Sequence, residues 1–327
     1  MSKPPVRLPS PLELRQLLAE YGVRPRRSRG QNFLIDANVL ARIVVAADIR
    51  PGDLVVEIGP GPGALTERLL AAGAFVFAIE IDRRLCQLLM DRWGDDPRFH
   101  LMAGDAREVD WPKFLGELRE ARAAGGEDGR RKHPEAETVP RSGWGRGWFK
   151  IVANIPYSIT TPLLLSILEL DRQLERVVLL VQKEVAERLA ADPGTPAYGS
   201  LTVAVQSRFA VEMVARVPST VFWPRPAVDS AVIRLFPRAE PLVKGDLQPT
   251  FTLLVRAAFN QRRKTLWNAL RTAPAFAGKE EALQRALAAA GIDGRRRGET
   301  LTPEEFALLA RYVRAEAEPK ICQEGID

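Results

Sequence analysis

Only two cysteines occur in 327 residues, Cys86 and Cys322. One lies on a predicted helix and the other in the tail, so they offer no disulfide framework and fit a reducing compartment. Histidine is equally scarce. His100 and His133 stand far apart and lack the Cys or acidic spacing of a zinc site, so no metal is expected. Long hydrophobic runs are missing as well. No apolar stretch approaches the roughly 20 residues of a membrane span, and Met1 to Leu8 lacks the apolar centre of a secretory signal. A cytoplasmic chain with no membrane partner is the expectation.

What is present is a 46% hydrophobic fraction, enough for a large core, with one large domain and a small one as the natural division. The net charge of +6 is unevenly spread. Residues 1–30 hold seven Lys/Arg against two Asp/Glu, and residues 241–315 hold thirteen against seven. The remainder is mildly acidic. Basic ends around such a middle suggest a polyanion gripped at the periphery while chemistry proceeds centrally.

The stretch Leu54 to Gly63, L-V-V-E-I-G-P-G-P-G, runs a β-branched strand into a glycine turn, and A-L-T-E-R-L-L follows at helical spacing. Strand, tight turn and helix N-terminus together make a nucleotide-cofactor site. Gly59, Gly61 and Ala64 also fit the dinucleotide fingerprint, with Glu80 at the distance of a ribose contact. The third glycine, Gly63, and the acidic Glu57 suit S-adenosylmethionine (SAM) better than NAD, since SAM carries no pyrophosphate.

Ser10-Pro11-Leu12-Glu13 is a capping box and predicts a short helix to about Glu20. A basic arm containing Arg26, Arg27 and Arg29 precedes Gln31-Asn32-Phe33-Leu34, where two amides beside apolar residues predict partial burial. Alternating strands and helices follow: Ala74 to Ile79 ends at Glu80, and Phe99 to Ala103 closes on Asp105. Both carboxylates are then expected in the crevice of the Gly59 turn. Residues 119–147, poor in apolar side chains, read as a mobile surface insertion. Val211 to Val217 and Ser230 to Phe236 read as a closing antiparallel pair, joined by a stiff connector that displays Phe222 and Trp223. From about residue 241 short helices replace strands.

Phe149 to Ala153 delivers Asn154-Ile155-Pro156-Tyr157 to the crevice side of the sheet, beside the first strand. An exocyclic adenine amine is a poor nucleophile because its lone pair is delocalised into the ring. An amide oxygen (Asn154) and a backbone carbonyl (Ile155, fixed by Pro156) can accept its two N–H bonds and turn it toward a sulfonium methyl. A ring at Tyr157 can stack on an extruded base. Alignment of nitrogen, methyl and sulfur then does most of the work, an effect worth roughly 7–11 kcal/mol in well-oriented reactions.

Gly30-Gln31-Asn32-Phe33-Leu34, Glu57-Ile58-Gly59-Pro60-Gly61-Pro62-Gly63, Glu80-Ile81-Asp82, Gly104-Asp105-Ala106, Asn154-Ile155-Pro156-Tyr157 and Phe222-x-Pro-x-Pro-x-Val-Asp-Ser-Ala occur in this order. Together they resemble the ribosomal RNA adenine-N6 dimethyltransferase family, in its bacterial small-subunit branch, over about residues 10–315. The resemblance implies an α/β fold: a Rossmann-like SAM-dependent methyltransferase sheet of seven strands, the last antiparallel, with a small all-helical C-terminal domain. It implies that Asn32 and Leu34 cover the cofactor, Gly59 contacts its methionine part, Glu80 its ribose and Asp105 its adenine amine. Asn154 would hold the target amine and the cofactor, with Tyr157 and Phe222 on the two faces of the target base.

The expected division is a basic arm with a short helix over 1–30, a catalytic domain over 31–240 and a helical RNA-binding domain over 241–315, with a tail at 316–327. Arg26, Arg27 and Arg29 of the arm, and Arg262, Arg263 and Lys264 of the helical domain, are the expected RNA contacts. The implied substrate is small-subunit rRNA within an immature subunit, at two adjacent adenines of a hairpin near its 3′ end, with a part in subunit assembly and a monomeric enzyme. Three alternatives stand beside this: a large-subunit rRNA methyltransferase of the antibiotic-resistance type, a non-catalytic RNA-binding assembly factor, and a NAD-dependent dehydrogenase. The last leaves Asn154 to Tyr157 without a purpose.

Overall fold

The structure is a computed structural model and describes residues 9–25, 31–111, 113–116, 148–156, 159–170 and 173–317. Arg26, Arg27, Arg29, Tyr157, the 119–147 segment and residues 318–327 lie outside them.

In chain order the elements are α1 (Pro11–Glu20), β1 (Phe33–Leu34), α2 (Ala37–Ala47), β2 (Leu54–Ile58), α3 (Ala64–Ala71), β3 (Phe75–Glu80), α4 (Arg83–Trp93), β4 (Phe99–Ala103), β5 (Phe149–Asn154) and α5 (Thr160–Leu168). There follow β6 (Leu174–Gln182), α6 (Lys183–Leu189), α7 (Ser200–Gln206), β7 (Phe209–Val217), β8 (Phe222–Trp223) and β9 (Ser230–Pro237). The chain ends in α8 (Gln248–Asn260), α9 (Leu266–Arg271), α10 (Glu280–Ala289) and α11 (Pro303–Ala317).

Local chemistry sets the helix starts. Ser10 Oγ accepts from Glu13 N at 3.3 Å while the Glu13 carboxylate accepts from Ser10 N at 2.6 Å, with Pro11 at the first turn of α1. Asp36 and Asp82 cap α2 and α4 in the same spirit, their carboxylates accepting from the first free N–H groups. The central strands β2, β5 and β6 are covered on both faces, so burial does not alternate along most of their length, and even Glu57 and Lys150 are buried within them.

The seven-stranded sheet has the order β4-β3-β2-β5-β6-β9-β7. β2 is parallel to both β3 and β5, β3 to β4, and β5 to β6, whereas β9 runs antiparallel to β6. The seven strands and the antiparallel last strand match the sequence expectation. After β2 the chain builds outward through β3 and β4, then returns to place β5 on the other side of β2. That reversal opens a crevice at the carboxyl ends of β2 and β5, where open α/β sheets bind ligands. β1 and β8 form a separate two-stranded antiparallel ribbon, Leu34 opposite Phe222 and Phe33 opposite Trp223.

The chain divides into two compact units, residues 1–186 with 210–239, and residues 187–209 with 240–327. The division differs from the sequence expectation of a catalytic domain over 31–240 in where residues 187–209 fall. Ala191, Tyr198 and Val203 are buried in the core of the second unit with Phe251, Leu254 and Phe306, and the Tyr198 hydroxyl donates to Leu301 O at 2.8 Å. A segment whose apolar side chains are used there belongs there. Among the described residues no helix is long and apolar enough to cross a membrane, and no group of His, Cys, Asp and Glu has the arrangement of a metal site.

Candidate active site

The glycine turn after β2 is shaped by what presses on it. Gly61 has φ +59°, and a Cβ there would stand 3.0 Å from the Phe33 ring. Gly63 has φ +88°, and a Cβ would meet Trp93 at 2.3 Å. Both positions therefore demand glycine, the second for packing against the end of α4 as much as for any ligand. Gly59 N donates to Ile79 O at 2.9 Å, which ties the turn to β3.

A cavity of about 400 Å³ opens over this turn, lined by Asn32, Leu34, Gly59, Glu80, Asp105 and Asn154 among others. Six residues expected at the cofactor from sequence are thus brought together on the first unit. Ile155 and Pro156 line it too. Phe222 does not. Its ring is 3% exposed in the hydrophobic core with Leu34, Leu40 and Val217, because pairing of β8 with β1 turns it inward. The expected stacking role of Phe222 is therefore not available in this conformation.

Three carboxylates line the cavity, each in a different state. Glu80 is buried; one oxygen accepts from Gly61 N at 3.1 Å and the other from Asp82 N at 2.9 Å. Burial raises its pKa, opposed by those backbone bonds. Glu57 lies at the floor, 1% exposed, accepting from Thr66 Oγ1 at 2.7 Å. Burial pushes it up to about 8; the Thr66 bond opposes this and the neighbouring Glu80 adds to it. Asp105 is the opposite case. The Arg107 side chain bonds its carboxylate, with Nη2 to Oδ2 at 2.5 Å, and holds it below the usual carboxylate range.

Asn154, at the end of β5, donates from Nδ2 to the Asn32 carbonyl at 3.2 Å. That bond orients the carboxamide, with one of its two N–H bonds given to the protein. Ile155, the next residue, is buried, with its N–H on Leu180 O at 3.2 Å.

Sequence reasoning missed two lining residues, Arg107 and Ile81, and one support, Thr66, which donates to Glu57. Arg107 sits two residues after Asp105, a spacing at which a long cation can fold back on a carboxylate. Thr66, one turn into α3, carried no signal of its own. Ile81 leaves 50% of its surface exposed at the cavity rim, an unsatisfied apolar face beside Glu80.

The basic residues expected at RNA divide. Arg262 bonds the Pro196 and Tyr198 carbonyls at 3.1 and 3.2 Å and pairs with Glu299 at 3.1 Å, so it fastens its own unit together. Arg263 and Lys264 are exposed, and their side chains have no partner among the described residues.

The model of the family described as ribosomal RNA adenine dimethylase matches residues 22–314. The ribosomal RNA small subunit methyltransferase A of Moorella thermoacetica is 45% identical over 297 residues, covering 91% of this chain and 95% of that protein. Its namesake from Geobacillus kaustophilus is 42% identical, covering 93% and 96%. Among solved structures, a dimethyladenosine transferase from Plasmodium falciparum superposes with TM-score 0.67 at 24% identity, over 87% of this chain and 98% of that one. The 23S rRNA methyltransferase ErmE gives TM-score 0.60 at 28% identity, over 86% and 100%. A match that runs through both compact units, and relatives this similar over nine-tenths of their length, leave one conclusion: the chain belongs to the ribosomal RNA adenine dimethylase family.

Proposed function

We propose that this protein transfers methyl groups from SAM to the N6 amine of adenine in small-subunit rRNA, two to each of two adjacent adenines in a hairpin near the 3′ end. The observation that carries the reading is the bond from Asn154 Nδ2 to Asn32 O. With one N–H given to the protein, the carboxamide keeps its oxygen as an acceptor at the cavity, and an adenine amine offers the matching N–H.

The residues fit SAM on their own chemistry. The Glu80 carboxylate, held by the Gly61 and Asp82 N–H groups at this turn, takes up donors that the pyrophosphate of a dinucleotide would need and would oppose its charge. Glu80 suits a ribose diol, Asp105 an adenine amine, and exposed Ile81 the flat face of a base. When bound, SAM supplies an electrophilic methyl on a sulfonium sulfur. Asn154 Oδ1 and the Ile155 carbonyl accept the two N–H bonds of the target amine and turn its lone pair out of the ring plane, toward the methyl. The methylated nitrogen is then cationic and acidic enough to lose its proton to water, so no strong base is needed.

The small-subunit target is preferred over the large because the relatives named for the small subunit are 39–45% identical, against 28% for ErmE. A cytoplasmic site of action follows from that substrate. The test is incubation with radiolabelled SAM and unmethylated small subunits, with mapping of the modified nucleotides. Asn154→Ala is expected to lower transfer at least a hundredfold while RNA affinity stays within a few-fold. Full activity in that variant would remove Asn154 from the mechanism.

A further inference from the structure

The cavity wall after β4 contains a pair of residues whose geometry exceeds what an ordinary surface ion pair needs. Asp105 Oδ1 accepts from Arg107 N at 2.9 Å and from Arg107 Nε at 3.0 Å, while Oδ2 accepts from Nε at 3.1 Å and from Nη2 at 2.5 Å. Backbone and guanidinium thus grip one carboxylate from a single residue. The Asp105 side chain is 13% exposed and that of Arg107 49%, so the carboxylate lies inward and the cation covers it from solvent. Both line the cavity.

We propose that Arg107 is a positioning residue for the cofactor, holding the Asp105 carboxylate as an oriented acceptor that selects a 6-aminopurine over purines lacking that amine. The inference rests on the reading of Asp105 as the contact to the cofactor's adenine. An ionised carboxylate has about four lone-pair sites. Three N–H groups of Arg107 occupy most of them and leave room for one more donor, which is what a single N–H of an exocyclic amine brings. A base with a ring carbonyl at that position would set two acceptors against each other and be rejected. The pair does not serve stability, because a half-exposed ion pair between residues two apart contributes little. The lowered pKa of Asp105, caused first by the Arg107 side chain, agrees with this geometry, since only the ionised form accepts on both oxygens.

The test is calorimetric binding of S-adenosylhomocysteine and of its analogue without the 6-amino group, to the full-length wild type, Asp105→Ala, Arg107→Ala and Arg107→Lys. RNA is absent, so the result is independent of the substrate assignment. Wild type is expected to prefer the amino form. Arg107→Ala should lose about tenfold in affinity for it and little for the analogue, with Arg107→Lys recovering part of the loss. Binding by Arg107→Ala should also decline at a higher pH on acidification than wild type, a shift that a merely structural role would not produce. If Arg107→Ala retains wild-type discrimination while Asp105→Ala loses it, the inference about Arg107 is overturned and the reading of Asp105 stands. Equal weakening of both ligands in Arg107→Ala would reduce Arg107 to loop support and overturn it too. If Asp105→Ala still discriminates, the adenine contact lies elsewhere and both fall.

Discussion

A carboxyl group sealed into an apolar floor keeps its proton, and Glu57 is such a group. Its pKa of about 8 lies above that of an exposed glutamate, so between pH 4.5 and 8 the folded chain holds a proton that the unfolded chain has released. Stability from this group is therefore complete below the unfolded value and lost as pH rises toward the folded one, by up to about 1.4 kcal/mol per pH unit. Glu57→Gln, neutral at every pH and able to accept from Thr66, should remove that slope. Thermal melts of the ligand-free protein at pH 5.5 and pH 8 check it: the variant should gain on wild type as pH rises. A constant difference would mean that Glu57 is ionised in the folded state. At this scale the sequence was legible where chemistry is local. Glu80, Asp105 and Asn154 follow strands that their own apolar runs announce, and all three reach the cavity. The burial of Phe222 was not legible, because a ring in a Pro-rich connector looks exposed until its strand partner is known, and Leu34 lies far away in the chain. Trp93 against Gly63 was hidden for the same reason.

Among elements, helices and strands were legible from periodicity and caps, and their order sufficed to place β5 beside β2. Loops were less so. The run Gln261 to Lys264 reads as one basic motif, yet its cations have two occupations. Arg262 reaches back to the carbonyls of Pro196 and Tyr198, which no pattern within the run reveals. Arg262→Ala should lower stability by about 1 kcal/mol, since it strips a charge-assisted donor from one part-buried carbonyl, that of Tyr198, and one exposed carbonyl, that of Pro196, and any loss of RNA affinity should follow the unfolding. Replacing Arg263 and Lys264 together with alanine should leave the melting temperature within a degree or two. RNA affinity should fall, and the slope of log affinity against log salt should shrink by up to about two. Salt titrations of both variants at a temperature well below their melts separate these roles. An unchanged slope in the double variant would make Arg263 and Lys264 solvating groups only.

For the whole molecule, the instructive difference is the boundary between the two units. Sequence placed it where strands stop, near residue 241, because a change from alternating to purely helical pattern is the visible signal. The fold places residues 187–209 with the later helices. An apolar helix such as α7 has the same periodicity whether it covers a sheet or joins a bundle, so pattern alone could not assign it. The consequence is physical. A chain ending at residue 239 keeps every residue that lines the cofactor cavity, but strands Ala191, Tyr198 and Val203 without Phe251, Leu254 and Phe306. Tyr198 also loses the Leu301 carbonyl for its hydroxyl. That truncation should bind a hydrophobic dye strongly and associate with concentration, while its cofactor affinity stays within a few-fold of the full chain. Sedimentation, dye fluorescence and cofactor titration of the truncated protein test the three parts together. A monomeric, dye-silent fragment would mean that residues 187–209 can be satisfied by the first unit, returning the boundary to where the sequence put it.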